Sequence, residues 1–137
     1  RLDPDRAMIY AANLESLESE LVELDSWIRS HLAPYQGRSF VVFHPSWGYF
    51  ADDYGLSQIA IEIDGKEPSD AEITHIQHEA RESRVSTIFV QPEIAGRAAQ
   101  AVAAAVGAEL AILDPLAADI PANLRRTTSA IVGSFDG

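Results

Sequence analysis

The stretch "SFVVFHPSWGYFADDYGLSQIAIEI" (residues 39–63) contains two short apolar runs with a helical pattern between them. The runs SFVVF (39–43) and QIAIEI (58–63) are rich in β-branched or aromatic residues, which are typical of strands. Two similar runs follow, TIFV (87–90) and ELAIL (109–113), each after a segment of helical length. Repeated strand–helix alternation predicts an α/β fold, a four-stranded and mostly parallel sheet flanked by helices.

The predicted helices after each strand carry recognisable end signals. Ser46 is placed to cap the helix within SWGYFADDY, and Ser69 with Glu72 forms a capping-box pattern at the start of the next helix. The third helix is expected to stop at Gly107, since glycine suits the left-handed position after a helix end. A last helix is predicted over about residues 119–132.

A long amphipathic helix is predicted before the sheet, from Pro4 to about Leu32, because this segment contains no further Pro and no Gly. Its apolar residues recur at spacings of three and four and would share one face: Leu14, Leu17, Leu21, Leu24 and Ile28. The organisation that follows is a helical segment over residues 1–36 and an α/β unit over residues 37–137.

Composition excludes several classes of function. The chain has 137 residues, a net charge of −11 and a sequence pI near 4.6. Nucleic-acid binding is disfavoured, because it depends on clustered Lys and Arg. The chain has no cysteine, so disulfide frameworks, zinc ribbons and thiolate nucleophiles are excluded. No apolar run approaches the roughly 20 residues that cross a bilayer.

Polar residues follow each predicted strand, at the edge of a parallel sheet where ligands usually bind. If the strand order is 2-1-3-4, His44 and Asp114 follow strands that flank the third and lie about 10 Å apart. Their nitrogen and oxygen donors would suit Zn²⁺ or Mn²⁺ better than Ca²⁺ or Cu(I). The plainer alternatives are a histidine that hydrogen-bonds its own loop and an Asp-Pro loop opening.

The other histidines have simpler interpretations. His75 and His78 are expected to face solvent, opposite the buried face of their helix, and His31 is expected to stabilise the end of the long helix. No G-x-S-x-G, phosphate-loop or H-E-x-x-H motif is present. An α/β enzyme such as a hydrolase, using His44 with Asp114 or Glu93, stays an alternative, as does an interaction module without a ligand.

Several motifs in order, "FVVFHPSWGYFADDYGL", "EPSDAEI", "STIFVQPEI" and "LAILDPL", resemble the C-terminal lobe of the zinc- and manganese-binding solute-binding proteins of bacterial ABC transporters. The resemblance implies a non-enzymatic, two-lobed receptor, periplasmic or extracellular and membrane-associated, that delivers a metal ion to an ABC permease. Residues 1–36 would be its connecting helix and residues 37–137 its C-terminal lobe. The signal peptide and the N-terminal lobe would lie outside this chain.

The same resemblance implies the roles of individual residues. His44 and Asp114 would bind zinc, or alternatively manganese, and the residues that line or support the pocket would be Glu93, Gln91, Tyr49 and Trp47. A histidine at position 44 resembles the zinc-type members. Because the N-terminal lobe would supply the other ligands, this chain is expected to bind metal weakly or not at all. Apolar surface that would face that lobe is expected to be exposed along the stripe from Leu14 to Ile28 or around Trp47 and Tyr49, and association into homodimers is expected through it.

Overall fold

The computed structural model describes residues 3–62, 70–82, 85–92 and 97–136. Within these residues one sheet of four parallel strands has the order β2-β1-β3-β4, where the strands are β1 (Ser39–Val42), β2 (Ser57–Ala60), β3 (Thr87–Val90) and β4 (Glu109–Ile112). The predicted fold class and strand order are confirmed, and every described pairing is parallel.

Helices follow each strand, as the alternating pattern predicts. They are α1 (Ala7–Leu32) before the sheet, then α2 (Gly48–Asp53), α3 (Asp70–Glu82), α4 (Arg97–Val106) and α5 (Ile120–Asp136), with short 3₁₀ turns at Pro4–Arg6 and Ala33–Tyr35. No helix in the described part of the chain has both the length and the apolar character that a membrane span requires.

Two apolar cores cover the two faces of the sheet. On one face α1, α2 and α5 pack over Phe40 and Phe89, and Ile131 of α5 is fully buried there. On the other face α3 and α4 pack over Val41 and Ile88. Helices cover both faces of β1 and β3, so polar residues are expected only where these two strands end. The candidate functional residues lie at the strand ends.

The long helix packs on the sheet only through its last turns. Leu24, Ile28 and Leu32 are 2%, 1% and 0% exposed. Three leucines earlier in the same stripe remain 56%, 48% and 43% exposed, namely Leu14, Leu17 and Leu21. The predicted helix is therefore confirmed, and the predicted exposure of its apolar stripe is confirmed for the N-terminal part alone.

The helix-end predictions have different outcomes. Gly107 ends α4 with a φ of +74°, and the N–H of Ala108 donates to the carbonyl of Ala103 at 2.9 Å, as expected. Ser69 lies outside the described residues, so its predicted cap is untested. The predicted cap by Ser46 is wrong: α2 begins at Gly48, and no side-chain cap is formed there.

Candidate functional site

The loop that carries His44 is mounted on the ends of two strands. The backbone ladder between β1 and β2 continues past both strands, because the N–H of Ile61 donates to Val42 O at 3.0 Å and that of Glu62 donates to Phe43 O at 2.8 Å. On the other side the N–H of Phe43 donates to Phe89 O at 2.8 Å. The residue before His44, Phe43, is therefore hydrogen-bonded on both sides, which fixes the start of the His44 loop.

A carboxylate contacts the ring of His44. The Nδ1 atom of His44 lies 2.8 Å from Oε2 of Glu62, and the two side chains are 40% and 14% exposed. This contact occupies Nδ1, so Nε2 is the ring nitrogen available to another partner. Glu62 was not among the residues predicted for the site. The strand register identifies Glu62 as the neighbour of His44. Each residue of β1 pairs with the residue 18 positions later in the chain, and the same offset leads from His44 to Glu62.

A small cleft lies between the ends of β1, β3 and β4. It is too tightly packed to admit a water molecule, and its lining includes His44, Ser46, Trp47, Gln91 and Leu113. The Nε2 atom of Gln91 donates to Oγ of Ser46 at 2.7 Å and so bridges the loops after β1 and β3. The structure thus places the predicted pocket residues Trp47 and Gln91 beside His44.

Ser46 and Trp47 both make contacts outside α2. Oγ of Ser46 accepts from Gln91 and lies 3.4 Å from the carbonyl of His44, and the backbone N–H of Trp47 donates to Oε1 of Gln58 at 2.8 Å. The Trp47 ring is buried and packs edge-on against Phe50 at 5.9 Å between centroids. These contacts fix the loop to the core beneath it.

The two other residues predicted for the pocket are Tyr49 and Glu93. Tyr49 is 92% exposed and does not line it. Its position on the first turn of α2, after the buried Trp47, directs it to the surface. Glu93 lies outside the described residues, so its predicted position is untested.

Asp114 lies at the same edge of the sheet but lines a neighbouring cleft. Its Oδ1 accepts the N–H of Leu116 at 2.8 Å, and its backbone carbonyl accepts the side-chain amide of buried Asn123 at 2.7 Å. Asn123 and Arg126 of α5 line this second cleft, and Leu113 lines both clefts. The strand order thus brings His44 and Asp114 to one edge, with the end of β3 between them.

The described residues do not assemble a complete metal centre. No three side chains of His, Cys, Asp or Glu come together within the described ranges. The other histidines fit their predicted structural roles: His75 and His78 are exposed on α3, and Nδ1 of His31 lies 2.8 Å from the carbonyl of Trp27 near the end of α1. The donors at the edge, an imidazole nitrogen and a carboxylate, are of the kind that zinc binds.

The long side helix, the parallel sheet and the polar edge at the strand ends are the architecture of one lobe of a solute-binding protein. The family described as "ZnuA: Zinc-uptake complex component A periplasmic" matches residues 1–132. The chain therefore belongs to the ZnuA family, and the resemblance drawn from its motifs is confirmed.

Individual relatives support the same assignment. The high-affinity zinc uptake system protein ZnuA of Paracoccus denitrificans is 40% identical over 121 residues, which are 84% of this chain and 36% of that protein. The protein of the same name from Haemophilus influenzae is 30% identical over 115 residues, which are 82% of this chain and 34% of that protein. The chain thus spans about a third of the length of these curated relatives.

Solved structures agree with the fold. A crystal structure of ZnuA superposes with a TM-score of 0.92 at 40% identity, covering 96% of this chain and 50% of that one. The laminin-binding protein Lbp of Streptococcus pyogenes superposes with a TM-score of 0.84 at 26% identity, covering 97% of this chain and 54% of that one. The chain corresponds to about half of each solved chain.

Proposed function

We propose that this chain is part of an extracytoplasmic zinc receptor that delivers the ion to an ABC permease. Residues 1–36 would be the connecting helix and residues 37–137 the C-terminal lobe. The single observation that carries the proposal is the His44 ring at the open edge of the sheet, with a carboxylate on Nδ1 and Nε2 available, in a chain of the ZnuA family. An enzymatic role is not proposed, because family members are transport receptors.

His44 and Asp114 are the proposed zinc ligands, through a ring nitrogen and a carboxylate oxygen. The strand order supports this pairing, because both follow strands adjacent to β3. Gln91 and Trp47 would support the His44 loop from below, while Tyr49 and Glu93 would line the site in the complete receptor. Zinc is favoured over manganese by the names of the relatives and by the imidazole donor.

Two protein ligands leave a tetrahedral site half built. The remaining ligands would come from an N-terminal lobe of the same receptor, so this chain alone would bind zinc weakly or not at all. The exposed leucines of α1, namely Leu14, Leu17 and Leu21, would face that lobe. In the chain alone the same apolar surface would favour self-association, which light scattering at increasing concentration would detect as a dimer.

The location proposed for the parent receptor is the periplasm, or the outer face of the membrane in bacteria without one. The family description contains the word periplasmic, and the relatives are named as zinc uptake proteins. A net charge of −11 is compatible with a partner that is a cation.

Chelator competition on the parent receptor tests the ligand assignment. We expect His44→Ala and Asp114→Ala each to weaken zinc binding by more than about 100-fold. Losing a residue that only supports a ligand weakens metal binding by about 100-fold at most. A His75→Ala/His78→Ala double variant is the matched control, because both histidines are exposed on α3. Unchanged zinc affinity in the His44→Ala receptor would refute the proposal.

A further inference from the structure

Glu62 lies beside the proposed ligand His44 and has no role in the function proposed above. We infer that Glu62 is a positioning residue, whose carboxylate holds the His44 ring with its proton on Nδ1 and the lone pair of Nε2 available at the open edge. The tautomer is a property of this chain alone. Its consequence for zinc rests on the proposed function.

The chemistry of the two groups selects one tautomer. An ionised carboxylate has no proton and can only accept a hydrogen bond, so the ring nitrogen that contacts it must be the one that carries hydrogen. At 2.8 Å the contact between Nδ1 of His44 and Oε2 of Glu62 is a full hydrogen bond. In the neutral ring Nε2 is then unprotonated, which is the form that binds a metal ion.

The backbone makes this arrangement rigid. The N–H of Glu62 donates to the carbonyl of Phe43, the residue before His44, at 2.8 Å. Both side chains therefore start from adjacent, paired segments of the sheet. The Glu62 side chain is 14% exposed, so water competes little for its oxygen, whereas His44 at 40% exposure keeps an open side.

A second histidine–glutamate pair in the molecule lacks these features. Nδ1 of His78 lies 3.5 Å from Oε2 of Glu82, one turn along the surface of α3, and the two side chains are 70% and 72% exposed. Water competes fully for both groups there, so that carboxylate is not expected to select a tautomer. Glu82 is therefore a matched control for Glu62.

Proton–nitrogen correlation spectra of the histidine rings test the tautomer in the metal-free chain. In the neutral ring, we expect His44 to hold its proton on Nδ1 in the native chain and in Glu82→Ala. In Glu62→Ala and in Glu62→Gln, we expect a mixture with protonated Nε2. If Glu62→Ala fails to fold by circular dichroism, the isosteric Glu62→Gln decides. An unchanged His44 tautomer in the folded variants would overturn the inference.

Chelator competition on the parent receptor tests the consequence for zinc. Glu62→Ala and Glu62→Gln are expected to weaken binding by about 10- to 100-fold, while Glu82→Ala is expected to match the native receptor. If His44→Ala weakens binding and both Glu62 variants do not, the positioning role is refuted and the receptor assignment stands. If His44→Ala itself leaves binding unchanged, the assignment fails independently of Glu62.

Discussion

The two ends of α1 share one leucine spacing and have opposite surroundings. Leu24 and Ile28 are buried under the sheet, while Leu14 and Leu17 of the same stripe are about half exposed. The periodicity specifies which residues share a face of the helix, but it carries no information about what covers that face. An apolar stripe that continues past the edge of its own domain indicates a second surface that is not part of that domain.

Polar contacts connect the covered end of α1 to the rest of the fold. In the covered end, Nε of Arg29 donates to Oδ2 of Asp25 at 2.8 Å, and the hydroxyl of Tyr54 donates to Oδ1 of Asp25 at 3.0 Å. Arg29 also donates to the carbonyl of Asp53 at 3.2 Å. These contacts attach α1 to the end of α2, the helix that follows the His44 loop, so the covered end is part of the structure that supports the candidate site.

Removal of an apolar side chain should give the largest difference in stability between the two ends of α1. Ile28→Ala is expected to lower the free energy of unfolding by about 2–5 kcal/mol, the range for a large buried aliphatic residue. Leu17→Ala should change it by no more than about 0.5 kcal/mol in this chain, as for a surface substitution. Urea unfolding followed by circular dichroism measures the stability of both variants. Equal losses of stability would contradict the proposed difference between the two ends of α1.

The parent receptor offers the complementary measurement for Leu17. If another lobe covers this end of α1, Leu17→Ala should destabilise the parent receptor by at least about 1 kcal/mol, because about 0.8 kcal/mol is lost for each buried CH₂. Thermal unfolding of the native and variant receptors would show the difference in stability. If the two receptors unfold alike, no other lobe covers Leu17 in that protein.

Gly55 provides the next largest test of the covered end. Its φ is +68°, and a Cβ atom built there would lie 2.0 Å from Oε1 of Gln36, whose Nε2 donates to the carbonyl of Tyr54 at 2.7 Å. Gly55→Ala should therefore lose about 2–3 kcal/mol, from backbone strain and from a displaced hydrogen bond. Gly107→Ala, at a φ of +74° with open space around it, should lose only about 1 kcal/mol. Equal losses in urea unfolding would refute this difference.

Removal of the Tyr54 hydroxyl should have a smaller effect. Tyr54→Phe is expected to lose about 1 kcal/mol, the net value of one hydrogen bond. Burial, followed by the hydrogen bond to Asp25, raises the pKa of Tyr54 to about 12. Because the folded-state pKa lies above the unfolded value of about 10, this stabilisation is complete below that pH and is lost as the pH rises toward the folded value. A tyrosinate absorbance titration should lose its transition near 12 in the variant, and an unchanged titration would contradict the contact.

The smallest expected effect concerns pH and Asp25. The hydrogen bonds from Arg29 and Tyr54 hold the pKa of Asp25 below its ordinary value. A depressed folded-state pKa stabilises the protein above the unfolded pKa, and this contribution is lost as the pH falls through the folded value. The difference in Tm between the native chain and Asp25→Asn should therefore shrink on acidification. A Tm difference that stays constant on acidification would contradict this prediction.

Much of the fold could be predicted from the sequence because its signals are local. The runs 39–43, 87–90 and 109–113 each contain an observed strand, the run 58–63 overlaps β2 (Ser57–Ala60), and Gly107 ends its helix as predicted. The predicted Ser46 cap was wrong, and the serine hydroxyl instead contacts a distant side chain, that of Gln91. Local patterns do not reveal such contacts between segments.

The candidate site could be predicted only in outline. The strand order places His44 and Asp114 at one edge, and both positions could be read from the ends of apolar runs. Glu62 was missed because it was taken as part of a strand, and its role depends on the register between two strands. Tyr49 is 92% exposed on a six-residue helix, so its role in the pocket of the complete receptor stays a prediction.

The length of α1 sets a size for whatever covers its free end. Its 26 residues extend about 39 Å at 1.5 Å per residue, and the buried turns from Leu24 to Leu32 account for about 12 Å. The remaining length of about 27 Å is close to the diameter of a small domain. A folded body of domain size would therefore match this rod from end to end.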